Sequence, residues 1–126
     1  MFTDYKNGVN GWKYETITDV SVQTDIFPKN AILTQYIELS LLGCLTVKKG
    51  YNYDGASGAI DTDTIMLGSL YHDSLFQLMR EKHLDKTWRI IADKLLKSTC
   101  ITEGMNYFRA SYVYLAVRLV GWYFVK

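Results

Sequence analysis

The residues able to carry out chemistry gather in one part of the chain. His72 and Asp73 stand side by side in the apolar run LYHDSLFQLM, and Asp93 follows in the next apolar run, RIIADKLL. A histidine titrates near neutral pH and a neighbouring carboxylate fixes its tautomer, so such a set suits proton transfer to or from a reacting group. A plainer assignment stands beside it. His72 shares a helix face with Ile65, Ser69, Phe76 and Met79, where a hydrogen-bonded core histidine is at home. Asp73 could pair with Arg118, and Arg89 stands four residues before Asp93, the spacing of a helix ion pair.

Upstream lies the richest turn segment, GYNYDGASGAIDTDT, from Gly50 to Thr64. Gly55 and Gly58 permit positive φ and let carbonyls converge, while Asp54, Asp61 and Asp63 are hard oxygen donors of the kind calcium takes. The same residues also serve an ordinary crossing from a strand to a helix, which needs glycines and caps, and no EF-hand spacing is present.

The elements that must position these groups change period midway. WKYETITDVSV and YIELSL alternate apolar and polar residues, and LTVKKGY continues the pattern after Gly43. This predicts half-buried antiparallel strands over about residues 12–50, with a tight turn near Leu42 and Gly43. Beyond residue 64 the spacing becomes three and four, which predicts helices over about 64–82, 86–99 and 103–124, with Trp88, Ile91, Ala92 and Leu95 on one face of the second. Asp61, Thr62, Asp63 and Thr64 offer caps for the first helix, Asp85 and Thr102 for the others. Strands first and helices after predict an α+β fold, an N-terminal antiparallel sheet packed against three C-terminal helices.

Composition narrows the functional classes. The chain has 126 residues and no linker-like tract, which predicts a single domain over 1–126. Fourteen basic and 13 acidic residues leave a formal charge of +1, so nothing in the charge calls for nucleic acid. Cys44 and Cys100 lack metal-type spacing, and the N-terminus lacks the basic and apolar regions of a signal peptide, which predicts a reduced, intracellular setting.

Four segments in order, GYNYDGASG, HDSLF, RIIAD and YVYLAVRLVG, resemble a family of small bacteriophage and bacterial proteins, domain of unknown function 1353. Its pattern is a Gly-aromatic-x-x-Asp-Gly-x-Ser loop followed by His-Asp-x-Leu-Tyr, Arg-x-x-Ala-Asp and Tyr-x-Ala-Val-Arg helices. The match spans about Gly50 to Gly121 and takes in Ser57, Arg89 and Arg118. SGA stands where Ser-x-Pro is common, and Phe76 replaces the family tyrosine. More distantly, a glycine-bearing loop, a His-Asp pair on one helix and an Ala-Asp on the next are similar to phospholipase A2-like domains. Asp93 lies 93 − 72 = 21 residues after His72, a separation that two helices joined by a short turn can close.

That second resemblance implies roles. His72 would be the base that deprotonates a water attacking an ester carbonyl, and Asp93 its orienting partner. A calcium ion held by Asp73 and by carbonyls around Tyr53 and Gly55, with Asp54 as a further ligand or loop cap, would meet the developing oxyanion. Arg118, Ser57, Arg89 and Phe76 would form the surrounding network. The family resemblance implies a phage protein placed in the host cytoplasm or the virion, and leaves a non-enzymatic role, in the virion, in assembly or as an inhibitor of a host protein, as the alternative.

The C-terminal run ASYVYLAVRLVGWYFV has 16 residues with Arg118 inside it, short of the roughly 20 apolar residues a bilayer core needs. Being apolar nearly all round, it is expected to be the central buried helix, with Arg118 bridged to Asp73, Asp54 or Asp63. The alternative is an exposed aromatic end, around Trp122, Tyr123 and Phe124, that docks on a protein partner or a lipid interface.

Overall fold

The computed structural model describes residues 2–8, 14–53 and 63–125, with residues 122–125 by backbone alone. The fold is α+β: two small antiparallel sheets precede three helices. The chain forms two compact units, Thr3–Asp54 and Met1–Phe2 with Gly55–Lys126.

In the strand unit the alternating pattern is cut into more pieces than its run lengths suggested. One sheet orders β1 (Tyr5–Asn7), β2 (Tyr14–Thr16) and β7 (Asn52–Tyr53) as β1-β2-β7. The other orders β3 (Val20–Gln23), β4 (Ile32–Leu33), β5 (Ile37–Leu39) and β6 (Cys44–Val47) as β3-β6-β5-β4. WKYETITDVSV thus does not make one strand: it bends at Ile17 and Thr18 and feeds both sheets. The reason lies at Thr16, which is buried; its hydroxyl donates to the Lys48 carbonyl at 2.9 Å and accepts from the Tyr51 amide at 3.0 Å. A side chain so engaged takes over hydrogen bonds that a continued ladder would have made. The turn predicted near Leu42 and Gly43 is the β5–β6 connection, closed by the Gly43 amide on the Ser40 carbonyl at 3.0 Å. Ile37, Leu39, Leu45 and Val47 point inward from alternate positions of β5 and β6, as period-2 burial requires.

In the helical unit α1 is Met66–Arg80, α2 is Arg89–Thr102 and α3 is Tyr107–Val125. Their N-termini differ from expectation. Ile65 precedes α1 without a side-chain cap, and Asp85 caps a single 3-10 turn, Lys86–Trp88, by accepting from the Thr87 amide at 2.8 Å. Thr102 is the last residue of α2, and the residue that caps α3 is Asn106, whose Oδ1 accepts from the Arg109 amide at 2.8 Å. Asn is as good an acceptor for orphan amides as Ser or Asp, and Asn106 stands directly before the first residue of α3, whereas Thr102 is taken up in the last turn of α2.

The expected central helix is also corrected. It is α1, not α3, that is buried on nearly every side, with 11 of its 15 residues inside. On α3, Ala110, Val113, Val117 and Gly121 are buried while Phe108, Tyr112, Leu115 and Leu119 are exposed. Among the described residues no helix is long and apolar enough to cross a membrane.

Candidate functional site

The close approach of α1 to α2 starts at Gly68. A Cβ there would lie 2.9 Å from Leu96 Cδ1 and 3.1 Å from both the Leu96 carbonyl oxygen and Cys100 Sγ, so only a glycine lets the helices come this near. The helices run antiparallel, and one turn further along α1 the residue opposite Leu96's neighbour Asp93 is His72. The second helix presents Ala92, Asp93, Leu96, Thr99 and Cys100 to the interior, a stripe turned one residue from the expected Trp88, Ile91, Ala92 and Leu95. That rotation carries Asp93 from a flank into the core.

Asp93 is fully buried, and both of its oxygens are used. Oδ1 lies 2.6 Å from His72 Nε2, and Oδ2 accepts from Arg118 Nη1 at 2.9 Å. Each helix contributes one member: His72 from α1, Asp93 from α2 and Arg118 from α3. A charge removed from water needs such partners, because an unpaired buried carboxylate costs several kcal/mol. The Arg118 side chain keeps 27% of its surface exposed and that of His72 keeps 10%, so solvent reaches both outer members of the network but not the carboxylate between them.

Phe76, one turn beyond His72, places its ring centroid 4.0 Å from the imidazole at a 33° tilt. Gly121 also approaches this ring closely: a Cβ there would stand 3.3 Å from Phe76 Cε2 and Cζ. Phe76 carries no hydroxyl, and the second hydrogen bond to Asp93 comes from Arg118. Nε2 is committed to Asp93, and among the described residues no hydrogen bond reaches His72 Nδ1.

Two pairings read from spacing are overturned. Arg118 bridges Asp93, not Asp73 or Asp63, and Asp54 lies outside the described residues. Arg89 makes no ion pair with Asp93, although the two stand at i and i+4, because that carboxylate has turned inward to His72 and Arg118. Arg89 instead lays its stem against Gly121, with Cδ 3.5 Å from the position of a Cβ there, and its Nη1 is buried with no hydrogen-bond partner among the described residues. The signal that could have found the Asp93–Arg118 pair was Asp93 itself: within the stripe Ala92, Leu96 and Cys100 it must be interior, and an interior carboxylate calls for more than one donor.

The loop residues proposed as calcium ligands divide. Asp54, Gly55 and Ser57 lie outside the described residues, as do Asp61 and Thr62. Tyr53 ends β7, buried among the rings of Tyr14 and Tyr51. Asp73 is half-buried on α1 and already engaged in a polar interaction. Among the described residues no three His, Cys, Asp or Glu side chains converge. No family model, curated protein or solved structure matches the chain.

Proposed function

We propose that this chain is a His-Asp hydrolase of the phospholipase A2-like kind within the phage-associated family, and that it cleaves an ester with His72 as the general base. The observation that supports this best is the 2.6 Å contact from His72 Nε2 to a carboxylate that is fully buried and braced by Arg118, with Nδ1 left unbonded by the described residues. A water held at Nδ1 attacks the carbonyl carbon while its proton passes to Nδ1. The imidazolium so formed is stabilised by Asp93, whose second oxygen is engaged by Arg118 and which therefore does not itself take the proton. As the tetrahedral intermediate collapses, the proton returns from Nδ1 to the departing alkoxide. The charge that steadies the oxyanion is assigned to Arg89, one turn before Asp93, whose buried Nη1 has no acceptor among the described residues and would have to swing outward to meet the substrate.

The test is hydrolysis of mixed-micelle phospholipid and of a soluble aryl ester by wild type, His72→Gln and Arg89→Met, each with calcium and with chelator. His72→Gln keeps a donor for Asp93 but no base, so activity should fall by about 10² or more while the circular dichroism stays native. Loss of activity in chelator alone would return the electrophile's role to a metal. A wild type with no esterase activity in either condition would sink the hydrolase.

A second reading has its own observation. The same carboxylate joins three helices, which is what a purely structural keystone would do, and a non-enzymatic phage protein, in the virion, in assembly or against a host protein, would keep it for that reason alone. Its signature is an inactive wild type whose His72→Gln variant melts measurably lower.

A further inference from the structure

Among the described residues none covers the outer face of α3. Phe108, Tyr112, Leu115 and Leu119 are 85%, 64%, 56% and 67% exposed, flanked by Tyr107 and Val120. Their spacing is four, three and four residues, the seam of a helix that packs against another helix. The inner face, Ala110, Val113, Val117 and Gly121, is already buried, so α3 is apolar on both sides, and a helix of that kind is stable in water only when both are covered.

We propose that the outer face is covered by the same face of a second copy, the two α3 helices lying antiparallel about a two-fold axis. Area supports this occupant. With aromatic side chains offering about 150–250 Å² each, the exposed parts of Tyr107, Phe108 and Tyr112 come to roughly 300–500 Å². Leu115, Leu119 and Val120 carry the patch towards the roughly 800 Å² per partner of a standard interface. Shape supports the direction. Antiparallel pairing about the midpoint of the stripe sets Phe108 against Leu119 of the second copy and Tyr112 against Leu115, so every layer joins an aromatic ring to a leucine. Parallel pairing would crowd the rings at one end and leave leucines facing leucines at the other, and it would align the two helix dipoles unfavourably. Charge disfavours a lipid surface: α3 has only Arg109 and Arg118 as charged residues, and Arg118 is committed to Asp93, so the basic polar face of an interfacial helix is missing.

The experiment is light scattering coupled to size-exclusion chromatography over about 1–200 µM protein. The expected result is a species of twice the 14.5 kDa chain mass that dissociates on dilution. Leu115→Glu, a surface change that should leave the circular dichroism and the far-side contacts intact, should give the monomer throughout. Register is read in a Cys44→Ser background, which removes the exposed native thiol. Under mild oxidation, Phe108→Cys chains mixed with Leu119→Cys chains should form mixed disulfides, while neither should cross-link with itself. A wild type monomeric across the whole range, a Leu115→Glu protein that still dimerises, or self-cross-linking of Phe108→Cys would each overturn the proposal, as would binding to neutral phosphatidylcholine vesicles by the monomer in place of dimerisation.

Discussion

Two ion pairs of the same length divide the molecule. In the helical unit Arg118 Nη1 lies 2.9 Å from Asp93, and in the strand unit Lys48 Nζ lies 2.9 Å from Glu38. The first pair has side chains 27% and 0% exposed, the second 40% and 34%. Geometry alone would rank them equal. Burial separates them, because the attraction between two charges and the penalty for stranding one both grow as water is excluded. The strand unit accordingly spends its charges on the surface, where Lys6 and Glu15 also pair at 3.3 Å across β1 and β2, whereas the helical unit concentrates one carboxylate among three helices.

The strongest way to break this contrast is to remove the buried cation. Arg118→Met leaves Asp93 charged, fully buried and held by His72 alone. A loss of about 2–4 kcal/mol is expected, and for a domain of this size a melting temperature lower by about 10 °C. The measurement is urea or thermal unfolding followed by circular dichroism. Arg118→Met combined with Asp93→Leu should recover part of the loss, since it removes the stranded charge as well. If the single variant matches wild type, Asp93 is not an electrostatic keystone of the helical unit.

Next in size is an alkaline effect confined to the helical unit. Burial pushes the Cys100 thiol up from 9.0 to about 11, opposed by Arg109 and helped by Glu103. Burial, with Glu103 adding to it, pushes the Tyr71 hydroxyl up from 10.0 to about 12. In both cases the folded chain holds its proton longer than the unfolded chain does. The stabilisation is therefore full below pH 9, declines as the unfolded chain ionises, and is lost as pH rises through about 11 for Cys100 and about 12 for Tyr71. Stability measured by urea unfolding should fall by roughly 2 kcal/mol between pH 8.5 and pH 11. Cys100→Ala should remove most of that slope below pH 11. In native protein at neutral pH, Cys44 should react with a thiol reagent and Cys100 should not, because one is exposed and the other is buried. A slope unchanged in Cys100→Ala would mean that other groups control alkaline unfolding.

The two units also differ in how much of them can be read from sequence. The switch from period 2 to period 3.6 gives the α+β fold and places all three helices within a few residues, since both periodicities follow from backbone geometry alone. The His72–Asp93 approach was also legible, because two helices joined by a short turn return a residue 21 positions later to the same level. The division of the strands into two sheets was not, since it hangs on the Thr16 hydroxyl replacing ladder hydrogen bonds, and alternation says nothing about that. Nor was the partner of Arg118. Spacing along a helix finds Arg89 and Asp93, while the pairing that forms depends on a rotation of α2 by one residue, which only tertiary packing against Gly68 sets.

That rotation can be probed by a smaller change. Gly68→Ala would gain at most about 1 kcal/mol of helix propensity, less because Gly68 stands in the first turn of α1. Against this, the new methyl would meet the Leu96 carbonyl oxygen at 3.1 Å, and backbone cannot move aside as the nearby Leu96 Cδ1 can. Overpacking of this kind costs typically 1–3 kcal/mol, so a net loss of about 1 kcal/mol is expected, with α1 and α2 pushed apart at the level of His72. The loosened His72–Asp93 contact should appear as a shift of the imidazole resonances in NMR. A stabilised Gly68→Ala protein would show that the helices have slack and that their approach does not fix the site.

The smallest effect is expected in the strand unit and completes the comparison. Glu38, by accepting a hydrogen bond and by its charge, raises the pKa of Lys48 above its ordinary 10.5. The sign is the same as for Cys100 and Tyr71: the favourable contribution is present below the unfolded value and disappears as pH rises through the folded one. Its size is another matter, because water around both side chains screens the pair and two flexible chains must be held in one geometry. Lys48→Met should therefore leave the melting temperature within the error of measurement at neutral pH, and added salt should not change that outcome. Glu38 also sits opposite Thr46 in the β5–β6 register, so Glu38→Gln, which keeps the side chain's shape on the sheet, serves as the matched control. A clear drop in melting temperature for Lys48→Met but not for Arg118→Met would reverse the ranking of the two pairs and with it the claim that burial, not distance, decides what each contributes.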